Sequence, residues 1–441
     1  MKPIRKPLTA GRIIILGFAA VVLIGTILLT LPISSKERIF TPFLDALFTS
    51  TSATCVTGLV IYDTATYWSF FGQAVILVLI QIGGMGVVTL AVAISSIAGR
   101  KIGLMQRSTM QESIAAPHVG GMVRITRYIL KVIFITEAIG AALMAPVFCK
   151  DFGIAKGIWY SVFHSITAFC NAGFDLMGAK EPFSSLTYYS SNIIINAVIM
   201  VLIILGGIGF LTWNDVQKNG IHFKRYKMQT KVVLVTSLLL ILLPTVFFFF
   251  AEFSGLPLKE RILASLFQSV TTRTAGYNTA DLTAMSESGI IIMSLLMVIG
   301  GSPGSTAGGL KTTTFAVLIL SAISVFRKKD SPEIFQRRID EGTVKKSAAI
   351  LMLFITLLLS GSIFISVYEG IPFTTSFFEV ASTIGTVGLT LGITPDLSTP
   401  SHIMLIIMMF AGRVGGLTLF LAAAPGRKNN AKLPLEEITV G

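Results

Sequence analysis

The sequence predicts an all-α polytopic membrane protein in which four pseudo-repeated units surround one pore. Three observations predict this class. The 441 residues are 53% hydrophobic and only 13% charged, whereas a soluble domain carries about 25% charged residues. Uncharged apolar runs long enough to cross a bilayer recur along the chain. A short motif that ends in glycine occurs four times between these runs. This composition excludes a soluble globular protein and a disordered one.

Eight apolar runs have spanning length, and the sixth of them is interrupted by glycines. They cover residues 13–33, 73–98, 126–148, 189–212, 229–250, 287–325, 347–368 and 402–424. The first run resembles a signal peptide, but its 21 uncharged residues and the lack of a clear cleavage site favour a retained helix.

A stretch that is too short to span and too apolar for an ordinary loop lies between the members of each pair of runs. These stretches cover residues 42–60, 157–175, 258–277 and 373–390. They are typical of re-entrant segments, so each unit is predicted to have the order span, pore helix, span (M1–P–M2). The four units comprise residues 1–100, 101–218, 219–330 and 331–441, the last with a short C-terminal tail.

The charges indicate the orientation in the membrane. With both termini in the cytoplasm, 25 of the 35 Lys and Arg residues lie in inner segments and eight lie in outer connections. This bias is the positive-inside pattern of a multi-pass plasma-membrane protein beside anionic lipid, so the net charge of +13 does not indicate nucleic-acid binding. Thirteen of the 22 acidic residues lie on the outer side, where they would attract cations.

The repeated motif reads ATCVTG at 53–58, AFCNAG at 168–173, TTRTAG at 271–276 and TIGTVG at 383–388. Nine or ten residues before each final glycine stands a phenylalanine: Phe48, Phe163, Phe267 and Phe378. Glycine pairs or near pairs follow in each second span, at 83–84, 206–207, 300–301 and 412–416. The matched spacing indicates an internal repeat rather than four unrelated membrane loops that only allow tight packing.

A helix that stops inside the bilayer leaves backbone groups that must face protein or a water-filled path. Carbonyl oxygens of the extended chain after it can replace the hydration shell of a cation, and alternate left-handed residues favour glycine. We therefore predict a selectivity filter for K⁺ formed by Thr54, Cys55, Val56, Thr57, Gly58, Cys170, Asn171, Ala172, Gly173, Arg273, Thr274, Ala275, Gly276, Gly385, Thr386, Val387 and Gly388. The fourth motif most resembles the filter of potassium channels, and the other three predict an uneven ring. Cys55 and Cys170 are expected to pack behind the filter.

The interrupted sixth run reads IGGSPGSTAGGLKTTT at 299–314, a composition that no straight helix would use. We predict an unwound loop below the filter that acts as a gate, with a static kink as the alternative. Its residues are Gly300, Gly301, Ser302, Pro303, Gly304, Ser305, Thr306, Ala307, Gly308, Gly309 and Lys311. The segment is a near miss to a phosphate-binding loop, but an extra leucine precedes the lysine and no βαβ context exists.

Apart from charges near the ends of the runs, three charged residues fall within predicted spans. Arg413 is expected to face the pore and raise a barrier to cations, with a paired structural role as the alternative. Lys311 is expected to extend to the cytoplasmic interface. Glu137 is expected to pair with a neighbouring basic group. The three cysteines and four histidines form no metal-binding pattern, so no metal other than transported K⁺, with Na⁺ as the alternative ion, is predicted.

The four motifs, eight spans and broken sixth span resemble the Trk/Ktr/HKT superfamily of potassium transporters, and the short termini resemble its Ktr membrane subunits. The resemblance covers nearly the whole chain. It implies one pore per chain, filter glycines at Gly58, Gly173, Gly276 and Gly388, a gating loop at about 300–314, and a pore-facing Arg413. It also implies a homodimer on a cytosolic, KtrA-like ring of RCK-domain subunits that bind ATP or ADP. This chain has no nucleotide fingerprint and is expected to carry no cofactor.

The resulting expectation is a potassium uptake channel or transporter driven by the membrane potential. The resemblance further implies a sodium dependence in some members, and glycine rather than serine at 58 favours potassium. A sodium- or proton-coupled symporter, or a pathway for ammonium, remains the alternative. A polytopic membrane enzyme has the least support because no HExxH or GxSxG motif is present.

Overall fold

A computed structural model of the chain describes residues 9–97, 103–114 and 121–415. These residues form helices joined by connections that range from a single residue to 23 residues, with one small hairpin. The helices are α1 (Ala10–Thr30), α2 (Phe43–Cys55), α3 (Phe70–Met85), α4 (Val87–Ile97), α5 (Leu104–Ser113), α6 (Met122–Phe152), α7 (Ile154–Phe169), α8 (Ile193–Gly207), α9 (Phe210–Asn219), α10 (Met228–Phe247), α11 (Leu258–Thr271), α12 (Glu287–Val298), α13 (Thr312–Phe326), α14 (Glu341–Glu369), α15 (Phe373–Gly385) and α16 (Thr399–Val414). The antiparallel hairpin pairs β1 (Glu333–Ile334) with β2 (Arg337–Arg338).

Four described helices are long and apolar enough to cross a membrane by themselves: α1, α6, α10 and α14. A fifth candidate is the pair α8 and α9, which bends by 96°. The helices α3, α12, α13 and α16 are apolar but shorter. The first helix of each predicted pair is thus long, and the second is short or broken.

The breaks fall where glycine interrupts the apolar runs. The expected span 73–98 divides into α3 and α4 at Gly86, whose φ is +81°. The expected span 287–325 divides into α12 and α13, with an irregular segment between them. The expected span 402–424 is helical to Val414, and its remainder lies outside the described residues. Glycine explains the breaks because it adopts positive φ and weakens a helix interior.

The predicted re-entrant segments contain the short helices α2, α7, α11 and α15, of 13, 16, 14 and 13 residues. At 1.5 Å per residue each is about 20–24 Å long, too short for a hydrocarbon layer of about 30 Å. Three of them follow a proline, which favours a helix start. The phenylalanines noted above are fully buried in these four helices.

Each short helix contacts helices of its own unit and of an adjacent unit, and these contacts form a closed circle. Each packs on the long helix before it, as α1 on α2 and α14 on α15. The following apolar helix also contacts the next short helix around the circle: α3 contacts α7, α8 contacts α11, α12 contacts α15, and α16 contacts α2. The last contact joins the end of the described chain to its beginning, so the four motifs are brought around one centre.

Small residues allow the long helices to approach the short ones. A β-carbon on Gly140 of α6 would lie 2.5 Å from Ser165 Oγ on α7 and 2.8 Å from a methyl carbon of Leu202 on α8. The Ser165 hydroxyl donates a 2.6 Å hydrogen bond to the Glu137 carbonyl of α6. The Ser50 hydroxyl of α2 makes the equivalent bond to the Val22 carbonyl of α1. Close approach through small residues is characteristic of helix packing in membranes.

Candidate cation pathway

Each short helix ends in a segment with alternating backbone handedness. Two residues before each motif glycine, a non-glycine residue has positive φ: Val56 (59°), Asn171 (58°), Thr274 (65°) and Thr386 (51°). The motif glycines also have positive φ: Gly58 (97°), Gly173 (68°), Gly276 (83°) and Gly388 (96°). Left-handed non-glycine residues are uncommon and cost free energy, so the surrounding structure must hold them in place. The alternation that the motif predicts is therefore present in all four segments.

The four motif glycines approach one another in a closed ring. A β-carbon on Gly58 would lie 2.5 Å from the Ala172 carbonyl oxygen and 3.1 Å from Gly173 Cα. A β-carbon on Gly173 would lie 2.9 Å from Gly276 Cα, one on Gly276 would lie 3.2 Å from Gly388 Cα, and one on Gly388 would lie 2.9 Å from Gly58 Cα. No other residue type could occupy these positions without displacing the neighbouring backbone. The ring is therefore narrow and formed by main chain.

Backbone carbonyls contact this ring from the residue before each glycine. The oxygens of Thr57, Ala172, Ala275 and Val387 each lie beside the glycine of an adjacent segment. The hydroxyls of Thr57, Thr274 and Thr386 are buried and have no hydrogen-bond partner within the described part of the protein. The ring thus has four equivalent carbonyls, and the residues that supply them and their neighbours differ between segments, as the uneven motifs predict.

Two serine hydroxyls that sequence reasoning missed hold the first and fourth segments. The amide of Gly58 donates to Ser52 Oγ, and the amide of Gly388 donates to Ser382 Oγ, both at 3.0 Å. In each case the serine stands six residues before the glycine, a shared spacing that could have identified it. These bonds satisfy buried amides that would otherwise lack a partner.

The second and third segments are joined by Tyr277. Its buried hydroxyl bonds to the Phe174 carbonyl at 3.1 Å and contacts the Thr167 hydroxyl. Its own carbonyl accepts a 2.5 Å hydrogen bond from Thr271. Because Phe174 and Tyr277 follow the second and third motif glycines, this network fixes the relative position of two neighbouring segments.

A cavity of about 460 Å³ opens on one side of the ring and is lined by all four motif glycines. Four carboxylates also line it: Asp63, Asp175, Asp281 and Asp396. No Lys or Arg stands among the described residues of this lining. The Thr283 hydroxyl and amide bond to Asp281 and lower the pKa of that exposed carboxylate. The cavity therefore has the negative field that concentrates cations.

Two buried carboxylates, Asp63 in the cavity lining and Glu379 in α15, are held by local hydrogen bonds. Asp63 accepts from the Thr66 amide at 2.8 Å and from the Phe183 amide at 3.0 Å, so it joins two outer connections. Glu379 of α15 is fully buried and accepts from the Thr390 hydroxyl at 2.7 Å and from Thr394. Glu379 thus ties α15 to the chain that follows the fourth motif.

The irregular segment between α12 and α13, residues 299–311, folds back on itself beside the ring. The Gly300 amide donates to the Leu310 carbonyl at 2.8 Å, and the Leu310 amide donates to Val298 at 3.1 Å. The Ser302 amide donates to the Gly207 carbonyl at the end of α8. A β-carbon on Gly309 would lie 3.1 Å from the Gly385 carbonyl oxygen of α15. The predicted unwound loop is therefore present, and it packs between the C-terminal ends of α8 and α15.

Thr306 connects this loop to the second motif. Its hydroxyl lies 3.1 Å from the Phe169 carbonyl and 2.9 Å from Asn171 Oδ1. On its other side the loop reaches the segment after α5, because a β-carbon on Gly304 would lie 2.5 Å from the Ile114 carbonyl oxygen. The loop thus touches both the ring segments and a connection between α4 and α6.

Arg413 lies beside the loop and donates only to backbone carbonyls. Its guanidinium bonds to the Thr306 carbonyl of the loop and to the Gly83 carbonyl of α3, with Gly84 at 3.4 Å. The only ion pair among the described residues is the exposed pair Lys329–Glu333, so Arg413 has no carboxylate partner there. A paired structural role is therefore not observed, and Arg413 joins the loop to the first unit.

Two other intramembrane charges differ from expectation. Lys311 Nζ donates to the Ala307 carbonyl at 2.7 Å and to Gly308 at 3.3 Å, so the prediction that it extends to the cytoplasmic interface is wrong. Glu137 accepts from the Gln81 side-chain amide at 3.0 Å rather than from a basic group. An amide donor supplies the hydrogen bond without a second buried charge.

Several predicted filter residues lie outside the ring. Thr54, Cys55 and Gly385 belong to α2 and α15, and Cys170 caps α7 with its thiol buried against Gly84. The Arg273 guanidinium points away to the Ser237 carbonyl of α10 at 3.3 Å. The Arg273 carbonyl accepts from the side-chain Nδ2 of Asn171 at 3.2 Å. Arg273 therefore contributes no side chain to the narrow ring.

Apolar helices, a main-chain ring and an acidic cavity together define a membrane protein of the cation-transport class. The family model of TrkH, a cation transport protein, matches residues 9–432. The chain belongs to the TrkH family.

Curated relatives match over nearly the full length. The Potassium/sodium uptake protein NtpJ of Enterococcus hirae is 39% identical, covering 100% of this chain and 99% of that protein. The Ktr system potassium uptake protein B of Bacillus subtilis is 38% identical, covering 98% and 97%. The fold matches the crystal structure of the potassium transporter TrkH from Vibrio parahaemolyticus, with a TM-score of 0.76, 18% identity, and coverage of 96% and 86%.

Proposed function

We propose that this chain is the ion-translocating subunit of a bacterial potassium uptake system and conducts K⁺ through the ring of four motif glycines. The observation that carries the proposal is the closed ring itself, with alternating backbone handedness in all four segments. Main-chain oxygens at such a constriction can replace the water around a desolvated cation. The names of the relatives, which specify potassium or potassium and sodium uptake, support K⁺ as the transported ion.

The proposed architecture is four M1–P–M2 units around one pore, with boundaries at about residues 100, 218 and 330. The circle of contacts between each second helix and the next short helix supports it. In this arrangement the acidic cavity is the outer vestibule, and both termini, which lie outside the described residues, are cytoplasmic. An interior-negative potential of 100 mV supplies about 2.3 kcal/mol per K⁺, so uptake needs no chemical energy source in this chain.

The loop at 299–311 is the proposed gate. Arg413 has two proposed roles: it acts as a latch, which means that its hydrogen bonds hold the loop closed, and its charge is a barrier to cations. The loop lies against Asn171 and Gly385 beside the ring, where it would obstruct an ion. Arg413 bonds it to Gly83. Movement of the loop would require these bonds to break, and the remaining positive charge of Arg413 would still repel a permeating cation.

Regulation is proposed to come from partner subunits. By the resemblance to Ktr proteins, the chain forms a homodimer on a cytosolic ring of RCK-domain subunits that bind ATP or ADP. The word "system" in the name of the B. subtilis relative is consistent with a multicomponent assembly. The contact between Gly304 of the loop and Ile114 near α5 offers a route by which an inner connection could act on the gate.

Coupled symport with sodium is the second candidate function. It is favoured by the name of the E. hirae relative, which specifies both potassium and sodium. The residues around the ring are also uneven, and the buried hydroxyls of Thr57 and Thr386 have no hydrogen-bond partner in the described part of the protein.

Ion flux into proteoliposomes distinguishes these functions. We expect purified protein to take up rubidium or potassium under an imposed interior-negative potential, without sodium and without a pH gradient. An absolute requirement for sodium at fixed stoichiometry would instead establish symport. Protein-free vesicles and vesicles with the Gly388→Ser variant provide the background and the filter control. Equal flux from all three preparations would eliminate both candidates.

A further inference from the structure

A strongly basic pocket lies at the start of α10, away from the cation pathway. It is concave, has a volume of about 790 Å³, and lies between the connection before α10 and the hairpin β1–β2. Six cationic side chains line it: Lys224, Arg225, Lys227, Lys231, Arg337 and Arg338. No carboxylate stands among the described residues of this lining.

Three nearby carboxylates already have hydrogen-bond or ion-pair partners. Asp215 accepts from the Lys227 backbone amide at 2.8 Å and from the Asn219 side chain at 2.9 Å. Glu333 of β1 pairs with Lys329 at 2.7 Å. Asp340 caps α14 by accepting from the Thr343 amide at 3.2 Å. Glu333 also stands opposite Arg338 in the hairpin, and Asp215 lies beside Lys227, so the chain neutralises part of the pocket's charge. The six cationic side chains still outnumber these two carboxylates, and an external anion would relieve their repulsion.

The pocket is built rather than formed by loose surface side chains. Lys231 Nζ donates to the Lys224 carbonyl at 3.0 Å and lies over the rings of Phe223 and Phe335. Phe335 and Gln336 form the hairpin turn with φ of 51° and 61°, a conformation that usually selects glycine or asparagine. Aromatic packing thus holds a strained turn at the edge of the pocket, next to Arg337.

In the proposed orientation, with both termini in the cytoplasm, the pocket lies at the membrane surface on the inner side, and the inference rests on that orientation. The 20 residues of α10 run about 30 Å from the pocket to the side where Glu252 bonds to Ser286, near the rim of the acidic cavity. Apolar side chains continue from the pocket along α10 and its neighbour α13, including Leu238 at 56% exposure and Phe326 at 86%. A ligand with a charged end and an apolar end fits this combination.

We propose that the pocket binds the phosphate headgroup of an anionic phospholipid of the inner leaflet, with its acyl chains along the exposed faces of α10 and α13. Arginine forks suit phosphate oxygens, and Arg225, Arg337 and Arg338 line the pocket. Basic pockets at the cytoplasmic interface bind lipid headgroups by the same chemistry. The continuous apolar surface favours a lipid over a soluble phosphate.

Native mass spectrometry of the full chain in detergent tests this proposal. The probe is short-chain phosphatidylglycerol, with phosphatidylcholine of the same chain length as the headgroup control. The test variant is Lys224→Gln/Arg225→Gln/Arg337→Gln/Arg338→Gln. The matched control, Arg327→Gln/Lys328→Gln/Lys345→Gln/Lys346→Gln, removes the same charge from exposed positions of the same inner face. We expect phosphatidylglycerol affinity to fall roughly 600-fold in the test variant and to stay near the parental value in the control, because each of the four basic residues contributes about fivefold.

Three results would overturn the proposal. Equal loss in both quadruple variants would show a general charge effect. Unchanged phosphatidylglycerol binding in the test variant would place the lipid elsewhere. If that variant binds phosphatidylglycerol normally but loses the binding of an acidic cytosolic protein, the pocket is a protein-binding site instead. Binding of inorganic phosphate or ATP to the parent, with no binding of phosphatidylglycerol, would assign the pocket to a soluble anion. If the quadruple variant fails to fold, Arg337→Gln/Arg338→Gln on the exposed hairpin replaces it, with the pair Lys345→Gln/Lys346→Gln as its control.

Discussion

At the scale of single residues, the ring requires glycine because its four positions leave no room for a β-carbon. Gly388 has φ of +96°, and a β-carbon there would contact the Thr57 carbonyl oxygen and lie 2.9 Å from Gly58 Cα. Any side chain would therefore push apart the two segments whose carbonyls are proposed to bind the ion. A non-glycine residue at Gly388 would also pay the conformational cost of positive φ. A glycine with positive φ but open space around it allows this cost to be measured separately from the steric one.

The Gly388→Ser variant is predicted to lose selectivity for potassium over sodium by about tenfold or more, which corresponds to about 1.4 kcal/mol. The measurement is the ratio of rubidium to sodium flux in proteoliposomes. Gly370→Ser is the matched control, because Gly370 also has positive φ (+68°) but a β-carbon there meets nothing within 4 Å. Loss of selectivity in both variants, or in neither, would contradict the assignment of Gly388 to the filter.

Substitutions of Arg413 distinguish its proposed role in holding the loop from its proposed role as an electrostatic barrier. Lysine keeps the charge but lacks the planar fork that reaches both Thr306 and Gly83. If the bonds to the loop limit flux, Arg413→Lys and Arg413→Gln are both expected to raise basal uptake several-fold. If the charge alone limits flux, only Arg413→Gln is expected to do so. Basal rubidium uptake of the purified variants decides between these roles, and parental flux in both would exclude both.

At the scale of elements, the loop at 299–311 is held by helix ends that belong to different parts of the chain. Its amide at Ser302 bonds to α8, its Thr306 hydroxyl bonds to the end of α7, and Gly309 packs on α15. Each bond is worth about 1 kcal/mol net, so loss of one or two changes a closed population several-fold. If the loop is the gate, as proposed, such a change in population is measurable as a change in flux.

Thr306→Val is predicted to raise basal flux about three- to thirtyfold, because it removes the bonds to Phe169 and Asn171 while keeping the side-chain volume. Ser305→Ala serves as the control, since Ser305 bonds only to Ser302 within the same loop. Partial deletion of residues 303–309 is expected to raise flux further. Parental flux in Thr306→Val and in the deletion would identify the loop as a fixed kink.

At the scale of the whole molecule, charge is segregated between two ends. One end carries the cavity with four carboxylates, and the other carries the pocket with six cationic side chains. This distribution follows the positive-inside pattern of the sequence. It predicts that cations gather at the mouth of the pathway before they meet the ring.

Asp281→Asn/Asp396→Asn is predicted to raise the half-saturating potassium concentration about threefold at low ionic strength. Both carboxylates are exposed at the cavity, so the effect is expected to vanish at about 1 M of an impermeant salt, where charges are screened beyond about 3 Å. Asp330→Asn, an exposed position on the opposite side, provides the control. A shift that is independent of salt would argue against electrostatic attraction.

The purified chain is also predicted to give the same flux with and without ATP or ADP, because nucleotide sensing is assigned to a cytosolic partner. Addition of an RCK-domain ring of the Ktr type is expected to make the flux respond to the nucleotide. A response of the isolated chain would place a nucleotide site within it, contrary to the proposed division of labour.

The sequence by itself determined the membrane class, the long helices and the positions of the four motif glycines. These features follow from local chemistry, because a bilayer requires apolar runs and left-handed backbone selects glycine. The spacing of Gly58, Gly173, Gly276 and Gly388 along the chain was sufficient to indicate four equivalent segments. The family resemblance read from those residues is confirmed by the family match.

Only the tertiary structure decided which groups meet. Arg413 bonds to Gly83 across 330 residues of sequence, and Asn171 reaches Arg273 across 102. Lys311 folds onto its own loop, and Glu137 selects the Gln81 amide over a cation. Composition and spacing record how polar a segment is but not which partner satisfies it. In a low-dielectric interior each buried polar group must find some partner, and the path of the folded chain determines which one lies within reach.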